Sequence, residues 1–118
     1  MARTPDLLRG TLEPLILKTL TRGPRHGYAI ARWLEERTGS ELAIEEGSLY
    51  PALYRMEERG WIEARWGVSE LGRQAKFYHL TPEGKALLAE RTDEWRRFAR
   101  AVSEVLLGPG AAAEAEAG

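Results

Sequence analysis

The chain has 118 residues, 43% of them hydrophobic and 30% charged, with a formal net charge of -1. That is a globular rather than a disordered composition, in one domain with at most an appended element. The near-neutral charge lacks the strongly basic balance of many nucleic-acid binders, although the distribution of charge matters more than its sum.

Cysteine is absent, which excludes a disulfide framework, a zinc ribbon and a thiol nucleophile. His26 and His79 lie far apart without metal-ligand spacing, so no metal site is expected. The opening MARTPDLLRG has no long apolar run and does not read as a signal peptide. No segment approaches the ~18 uninterrupted apolar residues of a membrane helix, so a cytoplasmic location and no membrane partner are expected.

Residues 1–6 form a polar arm. Leu8, Leu12, Leu15, Ile16 and Leu20 make a helical stripe, with Thr11 as a plausible N-cap and Pro14 in the first turn. Arg22–Pro24 ends it. A second helix follows in HGYAIARWLEERTG, with Tyr28, Ala31, Leu34 and Ile30 facing inward and Gly39 as its stop. The loop SELAIEEG has room for a short extended piece over Leu42–Ile44.

In GSLYPALYRMEERG, Leu49, Leu53 and Met56 fall at i, i+4 and i+7 and form a buried stripe. Gly47 or Ser48 starts this helix, Pro51 falls in its first turn and Gly60 ends it. WIEARWG and KFYHL then alternate as strands around the loop GVSELGRQA, a β-hairpin with a long tip. Trp61 or Ile62 can face the core, and Trp33 and Trp66 read as packing residues.

Thr81, Pro82 and Glu83 are the cap, first residue and first-turn acid of a last helix. Along it Leu88, Trp95, Phe98, Val102 and Val105 recur as a seam that Arg91 interrupts. A helix of ~25 residues is about 38 Å long, whereas a domain of ~100 residues has a radius of gyration near 13 Å. Trp95 and Phe98 therefore need another apolar surface, most simply a second copy of the chain. The Trp95 ring could also stack on a flat aromatic ligand between subunits. GPGAAAEAEAG is low-complexity and expected to be disordered.

The order of elements predicts a mainly α fold with a small β-hairpin: a winged helix-turn-helix plus a long C-terminal dimerisation helix. The expected divisions are a winged-helix DNA-binding domain over 1–80, a dimerisation helix over 81–107 and a disordered tail over 108–118. The third helix of such a fold enters the major groove of double-stranded DNA. Opposite its buried stripe it would present Ser48, Pro51, Ala52, Arg55 and Arg59, flanked by Tyr50 and Tyr54, with Glu57 and Glu58 at the back. The tyrosines either donate to phosphate oxygens or only pack, and Arg55 can reach phosphate or a guanine edge. Arg73 and Lys76 are the basic residues of the wing tip, with Gln74 between them and Arg65 on the preceding strand. His26 suits a cap or a packed ring better than a phosphate contact. Arg96, Arg97 and Arg100 read as a solvated face. No Ser/His/Asp arrangement, phosphate loop or paired carboxylates suggest an enzyme, and no cofactor is expected.

GSLYPALYRMEERGWI, the wing GRQAKFYHLTPEG and the long helix, with GTLEPLILKTL and GPRHGYAI before them, resemble the PadR family of bacterial transcriptional regulators over about residues 8–107. The resemblance implies a homodimeric winged-helix repressor of the short form, binding palindromic promoter DNA and released by a small, often aromatic effector. It implies that Trp95 lies where some members hold flat aromatic molecules between tryptophans at the dimer interface, beside Leu88, Phe98 and Val102. The wing departs from the family pattern, with Gln74 and Ala75 in place of bases, so that its hold on phosphate is either weaker or carried more by Arg3 and Arg9 of the arm; Phe77 in place of a frequent tyrosine removes one hydroxyl contact. Two other readings stand beside this one: a winged-helix protein–protein module that does not read DNA, and an aromatic-ligand carrier with vestigial DNA binding.

Overall fold

The computed structural model describes residue 8 and residues 10–110; Arg3, Arg9 and the expected tail beyond Gly110 lie outside the described residues. The elements are α1 (Leu12–Thr19), β1 (Arg25–His26), α2 (Gly27–Arg37), α3 (Glu46–Glu58), β2 (Ile62–Val68), β3 (Gln74–Leu80) and α4 (Pro82–Leu107). The chain divides into two compact units, one ending at Leu88 and one beginning at Ala89.

In the first unit, α1, α2 and α3 close a core of Leu12, Ile16, Leu17, Leu20, Ile30, Leu34, Leu49, Ala52, Leu53 and Met56, completed by Ile62 and Tyr78 of the sheet. Leu15 is only partly buried and Leu17 replaces it inside. Tyr28, expected to face inward, is 63% exposed. Gly27, Ile30 and Leu34 set the buried face of α2, and the next residue after Gly27 is turned ~100° away from it.

Both helix stops form Schellman motifs. After α2, Ser40 N–H donates to the Glu35 carbonyl and Gly39 N–H to that of Glu36; after α3, Trp61 N–H donates to Met56 and Gly60 N–H to Glu57. Gly39 and Gly60 take the left-handed conformation this requires, with φ of 58° and 78°. No regular element forms over Leu42–Ile44.

α3 begins earlier than its sequence suggests. The Glu45 carbonyl already accepts from Ser48 and Leu49 N–H, at 3.0 and 2.9 Å, so Glu45 is the N-cap. Pro51 is thus the sixth helical residue and lies in the second turn, not the first. Having no N–H, it cannot give the Gly47 carbonyl its usual helical bond.

The hairpin acquires a third strand. β1 pairs antiparallel with β3, Arg25 opposite Tyr78 and His26 opposite Phe77, giving the order β1-β3-β2. Across β2 and β3, Ile62 faces Leu80, Ala64 faces Tyr78 and Trp66 faces Lys76. The core ends near Ala64: farther along the same face, Trp66 and Val68 are 70% and 69% exposed. Trp66 is therefore not the packing residue its type suggested.

α4 is anchored at its start. The Thr81 hydroxyl donates to the Gly60 carbonyl at 2.6 Å and accepts from Gly84 N–H at 3.0 Å. Gly84 lies so close to Trp61 that a Cβ there would collide with the Trp61 carbonyl.

Candidate nucleic-acid interface

The surface of α3 follows from its periodicity. Leu49, Ala52, Leu53 and Met56 are buried, which takes Ala52 off the outward face assigned to it. Residues 47, 51, 54 and 58 recur at helical spacing on the opposite side, and Gly47, Pro51, Tyr54 and Glu58 are all exposed. Glu58 thus stands on the outward ridge, at its C-terminal end, rather than at the back. An acid there repels phosphate and leaves the Pro51–Tyr54 half as the approachable part.

The flanks of the ridge differ. Toward the sheet, the Tyr50 ring packs on Gly27: a Cβ on that glycine would stand 2.8 Å from Tyr50 Cε1 and Oη. Tyr50 nevertheless keeps 44% exposure, and Tyr54 keeps 64%. On the other flank Arg55 points toward α1, its Nε 3.8 Å from Glu13 Oε2. Ser48 lies on the Arg55 side and is partly buried, and Arg59 stacks 5.2 Å over the Trp61 ring.

The wing is closed by Ser69 N–H donating to the Arg73 carbonyl at 2.8 Å and Gly72 N–H to that of Ser69 at 2.9 Å. Gly72, with φ of 75°, makes the turn. Arg73 and Gln74 are exposed there. Lys76 is not at the tip: it faces Trp66 across the ladder and donates to Glu57 Oε1 of α3 at 3.2 Å. Its ammonium lies 5.7 Å over the Tyr78 ring. Burial, only partly opposed by that ammonium, raises the pKa of the Tyr78 phenol.

Tyr50, Arg73 and Lys76 line one open concavity of about 650 Å³, together with His26, Tyr28 and Leu71. Arg55 is not among its lining residues. His26 caps α2, its Nδ1 accepting from Ala29 N–H at 3.2 Å, and its ring stands edge-on to Phe77 at 5.5 Å and stacks on Tyr28 at 6.4 Å. Arg32 lies over the Tyr28 ring and bonds its hydroxyl at 3.3 Å. The hydrogen bonds that Arg32 donates to Glu36 and then to Tyr28 raise its pKa. Tyr28, expected to face inward, thus lines this concavity, with Arg32 beside its ring. The spacing of Gly27, Ile30 and Leu34 was the signal that could have put Tyr28 outside.

In the second unit, Trp95 and Phe98 are 51% and 61% exposed, with ring centroids 6.0 Å apart, and Val102 is partly buried. Leu88 belongs to the first unit and packs against its core. Among the described residues no group of His, Asp or Glu could hold a metal ion, and no helix is long and apolar enough to cross a membrane.

The description of the transcriptional regulator PadR-like family matches residues 16–90. A transcriptional regulator from Clostridium thermocellum is similar in structure, with a TM-score of 0.79 at 28% identity over 86% of this chain and 99% of that one. A PadR-like transcriptional regulator from Bacillus cereus has a TM-score of 0.75 at 32% identity over 88% and 99%. In sequence, the negative transcriptional regulator PadR of Bacillus subtilis is 30% identical over 74 residues, 63% of this chain and 41% of that protein. The chain thus spans less than half the length of that relative.

Proposed function

Because the chain belongs to the PadR-like family of transcriptional regulators, not to an enzyme family, we propose that it is a cytoplasmic repressor that binds a palindromic operator as a homodimer. The observation that carries this reading is the exposed Pro51–Tyr54 ridge of α3, flanked by a concavity that Tyr50 shares with the wing. A ridge one helix wide suits the major groove, and the wing reaches the neighbouring backbone. Ser48, Tyr50, Pro51, Tyr54, Arg55, Arg73 and Lys76 are the proposed DNA contacts, and Tyr28 with Arg32 extends them along α2. The repressor role draws on the likeness to the Bacillus subtilis negative regulator.

Residues 1–80 would be the DNA-binding part, 81–107 the dimerisation helix and 108–118 a disordered tail. The exposed Trp95 and Phe98 supply an apolar seam for a second copy, with Val102 along the same helix and Leu88 near its base. Pairing there would set two copies of α3 about 34 Å apart, one DNA turn. A flat aromatic effector between paired Trp95 rings would favour one helix crossing over the other and so change that spacing.

Selection of bound duplexes from a random pool, with and without flat aromatic compounds, tests this reading. An inverted-repeat site whose enrichment falls with a ligand supports it. Recovery of no preferred sequence favours a winged-helix module that binds protein instead.

A further inference from the structure

We propose that Glu13 and Glu57 are internal counter-anions of the DNA face, positioning residues that compete with phosphate for Arg55 and Lys76 and so hold down sequence-independent binding. The inference rests on the functional reading above. Two of the three cations assigned to DNA on α3 and the wing have a carboxylate of their own chain at hand: Glu13 is 3.8 Å from Arg55, and Glu57 is 3.2 Å from Lys76. Both acids are the less exposed member of their pair, at 20% against 52% and 35% against 41%. Glu13 is thus well shielded behind an outward Arg55, while Glu57 and Lys76 are about equally accessible.

Duplex DNA of any sequence offers Arg55 and Lys76 only an exchange of one anion for another. The net charge delivered to the phosphates is small, and few condensed counterions are released. Of the other proposed contacts of α3, Pro51 is apolar, and Ser48, Tyr50 and Tyr54 are neutral hydrogen-bond donors that need the right geometry rather than mere proximity. Arg73 has no carboxylate ion pair among the described residues and remains the cation available to any duplex. Discrimination then rises because the sequence-independent background is lowered.

Glu57→Gln and Glu13→Gln remove the charge and keep the shape. Full-length variants are titrated with a short random-sequence duplex and with the selected operator across a salt series. Each substitution is expected to tighten random-duplex binding about two- to fivefold at low salt, the span of exposed ion pairs. Each should steepen the salt slope by about 0.9 per freed cation and lower the ratio of operator to random affinity. In a Lys76→Gln background the effect of Glu57→Gln should vanish.

Unchanged slopes in both single variants, with operator binding intact, overturn this inference and leave the functional reading standing. An effect of Glu57→Gln that persists without Lys76 also overturns it. A wild-type chain that binds neither duplex overturns both.

Discussion

The ring of Tyr50, on the flank of the exposed α3 ridge, lies against Gly27, the first residue of α2, where an added Cβ would stand 2.8 Å from its Cε1 and Oη. This contact fixes one tyrosine of the proposed interface while leaving nearly half of it exposed. Gly27→Ala would push the half-exposed ring aside. Because that ring can move, the expected stability loss is about 1 kcal/mol, the low end for overpacking. DNA affinity should fall more than Tyr50→Phe lowers it, since a lost hydroxyl bond is worth roughly 0.5–1.5 kcal/mol. Chemical denaturation and DNA titration of the two variants check this.

Gly84→Ala should be worse for the fold. The added methyl meets the Trp61 carbonyl, part of the backbone rather than a movable side chain. A loss of about 2–3 kcal/mol is expected. Thr81→Ala, which removes the hydroxyl that serves both Gly60 and Gly84, should cost about 1 kcal/mol. Urea unfolding of the two variants measures both.

How far the sequence foretold these features depends on whether the signal was local. Thr81–Pro82 as a helix start and Gly39 and Gly60 as helix stops were legible, because caps depend on nearby residues. So was the Leu49–Leu53–Met56 stripe. The start of α3 was not, because Glu45 is no favoured N-cap and a proline suggests a first turn. β1 is two residues long and has no alternation to read. Ala52 and Trp66 mislead in opposite directions: the small residue reads as an outward one and the large aromatic as core, whereas position on the face decides each. Gly27 and Gly84 answer to residues distant in sequence, Tyr50 and Trp61, which no periodicity reveals. The ion pairs of Arg55 and Lys76 are likewise tertiary, which is why both side chains read as free bases.

Alkaline pH should expose Tyr78. Burial raises its folded pKa, so the unfolded chain gives up the phenolic proton first, near pH 10. This group contributes no pH dependence below that value. Stability then falls as pH rises through the unfolded and toward the folded pKa. Urea melts from roughly pH 9 to 11 should show the fall in the wild type and a shallower one in Tyr78→Phe.

Trp95→Ala should weaken self-association, because the exposed pair it forms with Phe98 is the proposed seam. Sedimentation over a dilution series should give a dimer dissociation constant at least tenfold higher, as expected when a buried interface tryptophan is truncated. A variant still dimeric at the dilution where the wild type dissociates would move the seam elsewhere.

Whether α3 reads DNA is answered by titrating Arg55→Ala against the selected operator and its point variants. Operator affinity is expected to fall by about 1–3 kcal/mol, together with relaxed preference at one base position. Unchanged affinity and unchanged preference for Arg55→Ala, Tyr54→Ala and Tyr50→Ala alike would contradict DNA reading by α3.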